Sequence, residues 1–151
     1  MYELWGGGAP FVYDPDKNTC TDSKGVPVRL LGAIPDVFDE IRAWGGSIAI
    51  ASRTDEPAWA REILNKFRTS RGDTLMSCVT PGLDELYKKC KTNHLAAIQQ
   101  KSGCDYSDMV FFDDDPQNIR DVSGIGVLSI LTPEGVTREV CDQGMNSFAE
   151  R

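Results

Sequence analysis

Histidine is nearly absent from this chain: His94 stands alone among 151 residues. No second histidine or carboxylate sits at ligand spacing from it, so it reads as a helix-surface residue rather than a general base or metal ligand. Paired cysteines are missing as well. Cys20, Cys78, Cys90, Cys104 and Cys141 are odd in number and widely spaced, with no CxxC. That argues against a disulfide framework and a zinc site, and for reduced thiols in a cytoplasmic protein. No apolar run reaches the length of a membrane span, so no membrane partner is expected. The opening Met1-Tyr2-Glu3-Leu4-Trp5 carries neither a basic nor a long apolar region, so no secretory signal is expected. Basic residues are in deficit, 16 against 23 acidic, for a net charge of −7. This argues against a nucleic-acid partner. It leaves small anions open, because a local lysine, a helix N-terminus or a bound metal overrides the global sign.

The most informative run is Met109-Val110-Phe111-Phe112-Asp113-Asp114-Asp115-Pro116. A short apolar stretch bounded by a breaker reads as a buried strand. In an open α/β sheet, ligands bind outside the C-terminal ends of the strands. Three consecutive acids at such a place point to a divalent cation. Two carboxylates about 5 Å apart repel by roughly 3 kcal/mol at an effective dielectric of 20. Asp115, directly before Pro116, reads as a helix N-cap. Asp113 and Asp114 are left for the cation.

Beyond residue 46, strand-like and helix-like segments alternate. Strands are expected over 47–51, 74–79, 109–112 and 126–130. Helices are expected around Val37, Phe38, Ile41 and Trp44, ending at Gly45-Gly46; around Trp59, Ile63, Leu64 and Phe67, with Pro57 near the start; around Leu95 and Ile98, ending at Gly103; from Pro116 through Ile119 and Val122; and after Thr137 through Val140, Cys141 and Phe148. Such alternation predicts an α/β fold, a three-layer α/β/α doubly wound parallel sheet in a single domain spanning 1–151. Residues 36–151 form its core. Residues 1–35, rich in Gly, Pro and Asp, are read as a small β-hairpin flap. Its apolar pieces are Phe11-Val12-Tyr13 and Val28-Arg29-Leu30-Leu31, with a turn at Asp22-Ser23-Lys24-Gly25.

Three features fall where strands end: Ser52-Arg53-Thr54 after 47–51, Lys91 at the front of the Leu95/Ile98 helix, and Asp113-Asp114 after Phe112. They supply a hydroxyl, an ammonium and a metal-binding acid pair, which are parts that phosphoryl transfer needs. Taken singly, Ser52 and Thr54 fit turn or capping roles, and Lys91 fits a surface lysine beside Lys88 and Lys89. Their joint order on the strand ends carries the reading.

Ile48-Ala49-Ile50-Ala51-Ser52-Arg53-Thr54, Lys91-Thr92-Asn93-His94, Lys101-Ser102-Gly103 and the Met109–Asp114 run together resemble the magnesium-dependent phosphatase-1 family, a nearly capless branch of the haloacid dehalogenase (HAD) superfamily. Tyr2, Leu4 and Trp5, Pro35 with Val37, Asn118-Ile119 and Gly126-Val127 extend the similarity over nearly the whole chain. The resemblance implies a HAD-like Rossmannoid fold and Mg²⁺-dependent hydrolysis of phosphomonoesters through an aspartyl-phosphate. The implied substrates are aryl phosphates, phosphotyrosine and sugar phosphates. It implies that Ser52, Lys91 and Asp113 serve catalysis. Ser52, Arg53 and Lys91 would bind substrate. Asp114, supported by Asp113, would bind Mg²⁺. It also places the family's Asp-x-Asp directly ahead of Tyr2, with Met1 at the second aspartate and Glu3 in place of a threonine. On that alignment the first central strand and the nucleophile are absent, and the chain as given is expected to be inactive. A non-catalytic descendant that binds a phosphorylated ligand or a protein partner is the alternative. Asp14-Pro15-Asp16 resembles a displaced Asp-x-Asp but reads as a turn. The oligomeric state is left open, monomer included.

Overall fold

The computed structural model describes every residue from Met1 to Arg151. Four short strands come first: β1 (Tyr2–Glu3), β2 (Val12–Asp14), β3 (Thr19–Thr21) and β4 (Pro27–Leu30). They form one antiparallel sheet in the order β1-β4-β3-β2. The expected single hairpin is therefore two hairpins and an added edge strand. The strands missing from the sequence reading are the two-residue Tyr2–Glu3 and Thr19-Cys20-Thr21, the latter too short and polar to show an apolar run, although its Cys20 is buried. Asp22-Ser23-Lys24-Gly25 does turn the chain, between β3 and β4. The buried Asp22 carboxylate holds that turn by accepting from the amides of Gly7 (2.6 Å), Lys24 (2.8 Å) and Val26 (3.0 Å). Asp14-Pro15-Asp16 is the β2–β3 turn, with the Asp16 amide donating to Asp14 Oδ1 at 3.0 Å.

Helix α1 (Ile34–Ala43) buries Ile34, Val37 and Phe38 and stops before Gly45, whose φ of +80° suits a residue without Cβ. Strand β5 (Ile48–Ser52) leads to α2 (Pro57–Lys66), with Pro57 in the first turn, where its missing N–H is not needed. The expected strand over 74–79 is not there. Thr74 caps a short helix, α3 (Leu75–Cys78), its hydroxyl accepting from the Ser77 amide, and strand β6 (Val79–Leu86) begins only afterwards. Pro81-Gly82 and the acids Asp84 and Glu85 had concealed this longest strand, because each is poor in strands. Then come α4 (Lys91–Ser102), closed by the left-handed Gly103, a 3₁₀ turn at Tyr106–Asp108, β7 (Val110–Asp113), α5 (Pro116–Ser123), β8 (Leu128–Leu131) and α6 (Arg138–Ala149). Asp115 caps α5 as expected, and Thr137 caps α6.

β5 pairs with β6 and β7 with β8, both in parallel, as strand–helix alternation requires. The two pairs do not join into one sheet, however. The doubly wound parallel sheet expected from the sequence, with its first central strand absent, is seen as two parallel ribbons. Helix α4 spans the join, packing on β5, β6 and α5. A core of twelve buried residues links the front sheet (Phe11, Cys20, Val28) with α1, α2, α3 and the β5–β6 side. A second cluster, Leu95, Phe111, Val122 and Val127, lies under α4, α5 and the β7–β8 ribbon. Each fully buried Ile, Leu or Phe stabilises by about 1.5–3 kcal/mol, so the larger cluster anchors the molecule. No helix is long and apolar enough to cross a membrane.

Candidate phosphoryl-binding site

The C-terminal ends of β5 and β7 and the front of α4 meet at a cleft of about 440 Å³. Ser52, Arg53, Lys91, Asp113 and Asp114, the five residues singled out in the sequence, all line it. Thr54, Lys88, Asp115 and Asn118 complete the wall, and no hydrophobic residue contributes. An all-polar wall is unusual for a small-molecule pocket and suits an ionic ligand.

Lys91 is the first residue of α4, and its side chain is 9% exposed. Its Nζ donates to Ala51 O at 2.6 Å and to Asp113 Oδ2 at 2.8 Å, and lies 5.5 Å from the Phe111 ring centre. An ammonium has three hydrogens, so one remains for a ligand oxygen. Lys91 thereby joins the two ribbons, since Ala51 belongs to β5 and Asp113 to β7.

Asp113 is fully engaged. Oδ2 takes Lys91, Oδ1 takes the Asp115 amide at 2.8 Å, and the buried Asn118 amide approaches both oxygens at 3.3 Å. Burial pushes its carboxyl upward. The Lys91 hydrogen bond and charge, the Asp115 amide and Asn118 outweigh burial and hold it below the usual carboxylate range. Asp115 spends Oδ1 on the Gln117 amide at 2.8 Å as the α5 cap. Asp114 alone of the three is exposed and takes no hydrogen bond from the protein. No group of three or more His, Cys, Asp or Glu side chains gathers anywhere to hold a metal. A cation here would take Asp114 and complete its shell from water and ligand oxygens. That pattern fits a hard ion which keeps its waters.

Ser52 ends β5. Its Oγ accepts from the Thr54 amide at 3.2 Å, which leaves the hydroxyl hydrogen free to donate. Arg53 and Lys88 stand at the mouth, both exposed and without an ion pair. Burial lowers the pKa of the Met1 amino group, opposed first by the charge of Asp114. Glu3 does not line the cleft; its Oε2 accepts from Trp5 Nε1 at 3.0 Å.

His94 departs from the sequence reading. It is not on the surface but 0% exposed, stacked on Tyr87 with ring centres 4.3 Å apart. The signal that could have found it is the spacing 91, 94, 95, 98. Lys91 and His94 share one stripe with Leu95 and Ile98, and all four are buried. Lys88 and Asn118 were likewise not named as site residues, because a lone polar residue carries no periodic signal; Thr54 was noted beside Ser52 but given no role.

Comparison with known proteins points the same way as the geometry. The acid phosphatase family model matches residues 1–151. A human protein named magnesium-dependent phosphatase 1 is 33% identical over 154 residues, covering 99% of this chain and 83% of the relative. A Schizosaccharomyces pombe protein named as a HAD-like hydrolase superfamily member is 31% identical over 127 residues, covering 79% of this chain and 70% of that protein.

Proposed function

This chain belongs to the acid phosphatase family, and from that premise we propose that its polar cleft binds the phosphoryl group of a phosphomonoester together with Mg²⁺. The observation that carries the reading is the Lys91 ammonium, buried between the two ribbons with one hydrogen unspent. Lys91 and the Ser52 hydroxyl donate to phosphoryl oxygens. Arg53 and Lys88 add two unpaired cations at the mouth, which matches a dianion. The relative's name states magnesium dependence, and the free Asp114 carboxylate fits that ion. Mg²⁺ at Asp114 would neutralise charge on the phosphoryl oxygens. The absence of hydrophobic lining favours a polar leaving group, of the sugar-phosphate kind, over an aryl or phosphotyrosine one.

Hydrolysis through an aspartyl-phosphate needs a carboxylate that attacks in line. The carboxylates lining the cleft all come from the end of β7. Asp113 is saturated, Asp115 caps a helix, and Asp114 is the metal ligand. The described residues therefore supply binding without a spare nucleophile, which favours the phosphate-binding reading for this stretch of chain.

The test is thermal unfolding of residues 1–151 with Mg²⁺ and inorganic phosphate. A ligand at a hundred times its Kd adds about 2.7 kcal/mol, and in a chain of this size each kcal/mol moves Tm by about 2–4 °C. We expect a rise of several degrees that disappears in Lys91→Met, and no Mg²⁺-dependent turnover of sugar or aryl phosphates. Turnover abolished by Asp114→Ala would refute the assignment of Asp114 to binding alone. An unmoved Tm would refute the phosphoryl site.

A further inference from the structure

His94 does not line the cleft but is a buried titratable side chain bonded to the backbone of cleft-wall residue Ser52, and phosphoryl binding leaves it unused. Its Nε2 lies 2.9 Å from both Ser52 O and Tyr87 O, and its Nδ1 lies 3.1 Å from Cys90 O. Three carbonyl oxygens thus face two ring nitrogens, and neither nitrogen meets a donor. With the ring hydrogen on Nε2, a neutral imidazole donates to Ser52 O and Tyr87 O together.

The three carbonyls belong to the parts that build the site. Ser52 ends β5, Tyr87 follows the end of β6, and Cys90 is the N-cap of α4. The Tyr87 amide also donates to Ser52 O at 3.1 Å, so that oxygen has both lone pairs used. One turn earlier on the same helix, Lys91 takes Ala51 O at 2.6 Å. Consecutive carbonyls of β5 are therefore held by two residues of α4 spaced i, i+3. No carboxylate hydrogen-bonds the ring. The titratable groups around it are the stacked Tyr87 phenol, with Lys89 Nζ 5.8 Å from the centre of that phenol ring, and Cys90 and Lys91 at the helix start.

We propose that His94, donating from Nε2 to the Ser52 and Tyr87 carbonyls, is a positioning residue that clamps the end of β5 to α4 and so fixes the Ser52 hydroxyl against the Lys91 ammonium. The clamp's consequence for ligand binding rests on the phosphoryl-site reading above, but the Nε2 hydrogen bond does not.

Nitrogen-15 NMR of residues 1–151 reads the tautomer directly, because the chain has one histidine. A protected N–H on Nε2 is expected, and a ring without a hydrogen on Nε2 would overturn the clamp. The second readout is the affinity for inorganic phosphate with Mg²⁺. His94→Phe keeps the stacking and removes the Nε2 donor, and a tenfold or greater loss is expected. His94→Gln can still present an amide NH₂ to Ser52 and Tyr87, and recovery to within about threefold of the natural chain is expected. If His94→Phe binds as well as the natural chain, or if the Gln and Phe variants lose affinity equally, the positioning role fails while the phosphoryl site stands. If the natural chain itself binds no phosphate, the phosphoryl reading fails and the Nε2 hydrogen alone decides the clamp. If His94→Phe does not fold, the Nε2 hydrogen and the Gln variant decide it.

Discussion

The two ends of α4 carry the same chemical pair in different surroundings. At the front, Lys91 meets Asp113 at 2.8 Å, with side chains 9% and 7% exposed. Ten residues later, Lys101 meets Glu85 at 2.5 Å, with side chains 52% and 6% exposed. Both join the helix to a strand. Only the front pair has two buried members, and only there does the lysine reach across to a second ribbon and keep a hydrogen in a cleft. The rear lysine uses its donors on Glu85 and on Gly82 O and sits half in water. Distance alone would rank the rear pair higher. Burial reverses the order, because removing one partner of a buried pair strands the other, whereas a half-exposed lysine is screened by solvent.

The largest effect that could break this comparison is Asp113→Ala. It leaves the Lys91 ammonium buried without a counter-charge, and the expected loss of stability is about 3–5 kcal/mol, measured by urea denaturation. Phosphate binding should fall with it. A loss under about 1 kcal/mol would place the front pair in the class of ordinary surface bridges.

Acid titration sharpens the same contrast by a smaller amount. The Asp113 pKa is lowered from its ordinary value of 3.8 in the folded protein. Folding therefore gains stability from this group that is fully present above pH 3.8. The gain is lost as pH falls from there through the lowered folded value, because the unfolded chain then binds the proton first. In metal-free protein, unfolding free energy measured between neutral pH and about pH 2 should drop along this limb. The drop should be shallower in Asp113→Asn. Equal slopes in the two proteins would show that Asp113 gains nothing from Lys91.

How much of this was legible beforehand follows from what is local. The strand ends at Ser52 and Asp113, the Asp115 cap, the Gly103 stop and the place of Lys91 at a helix front are set by neighbours within a turn or a few residues, and the sequence reading located each of them. The residues named for the site do meet at one cleft. The two parallel pairs were legible in part: the resemblance implied a sheet whose first central strand is absent, and β5–β6 and β7–β8 do not hydrogen-bond to each other. Strand β3 and helix α3 were lost to short length, and β6 to its Pro-Gly and acids. His94 was legible in principle. Its position on the Lys91, Leu95, Ile98 stripe outweighs its polarity, and the buried carbonyls explain how a polar ring can occupy a core position.

The smallest expected effect tests the other end of the comparison. Lys101→Met removes the exposed member of the rear pair and leaves Glu85, whose side chain is 6% exposed. If burial of the carboxylate alone set the penalty, the loss would match that of Asp113→Ala. Glu85 has a second neighbour, however: the Tyr87 phenol is pushed up to about 12, first by burial and then by the Glu85 carboxylate. The phenol therefore stays protonated beside Glu85 when Lys101 is gone. The methionine stem keeps the packing that the lysine stem made. The expected loss is below about 1 kcal/mol, with phosphate affinity unchanged, as read by urea denaturation and by titration with phosphate and Mg²⁺. A loss comparable to that of Asp113→Ala would mean that one buried carboxylate suffices to make a lysine pair critical, and the distinction between the two ends of α4 would rest on the cleft alone.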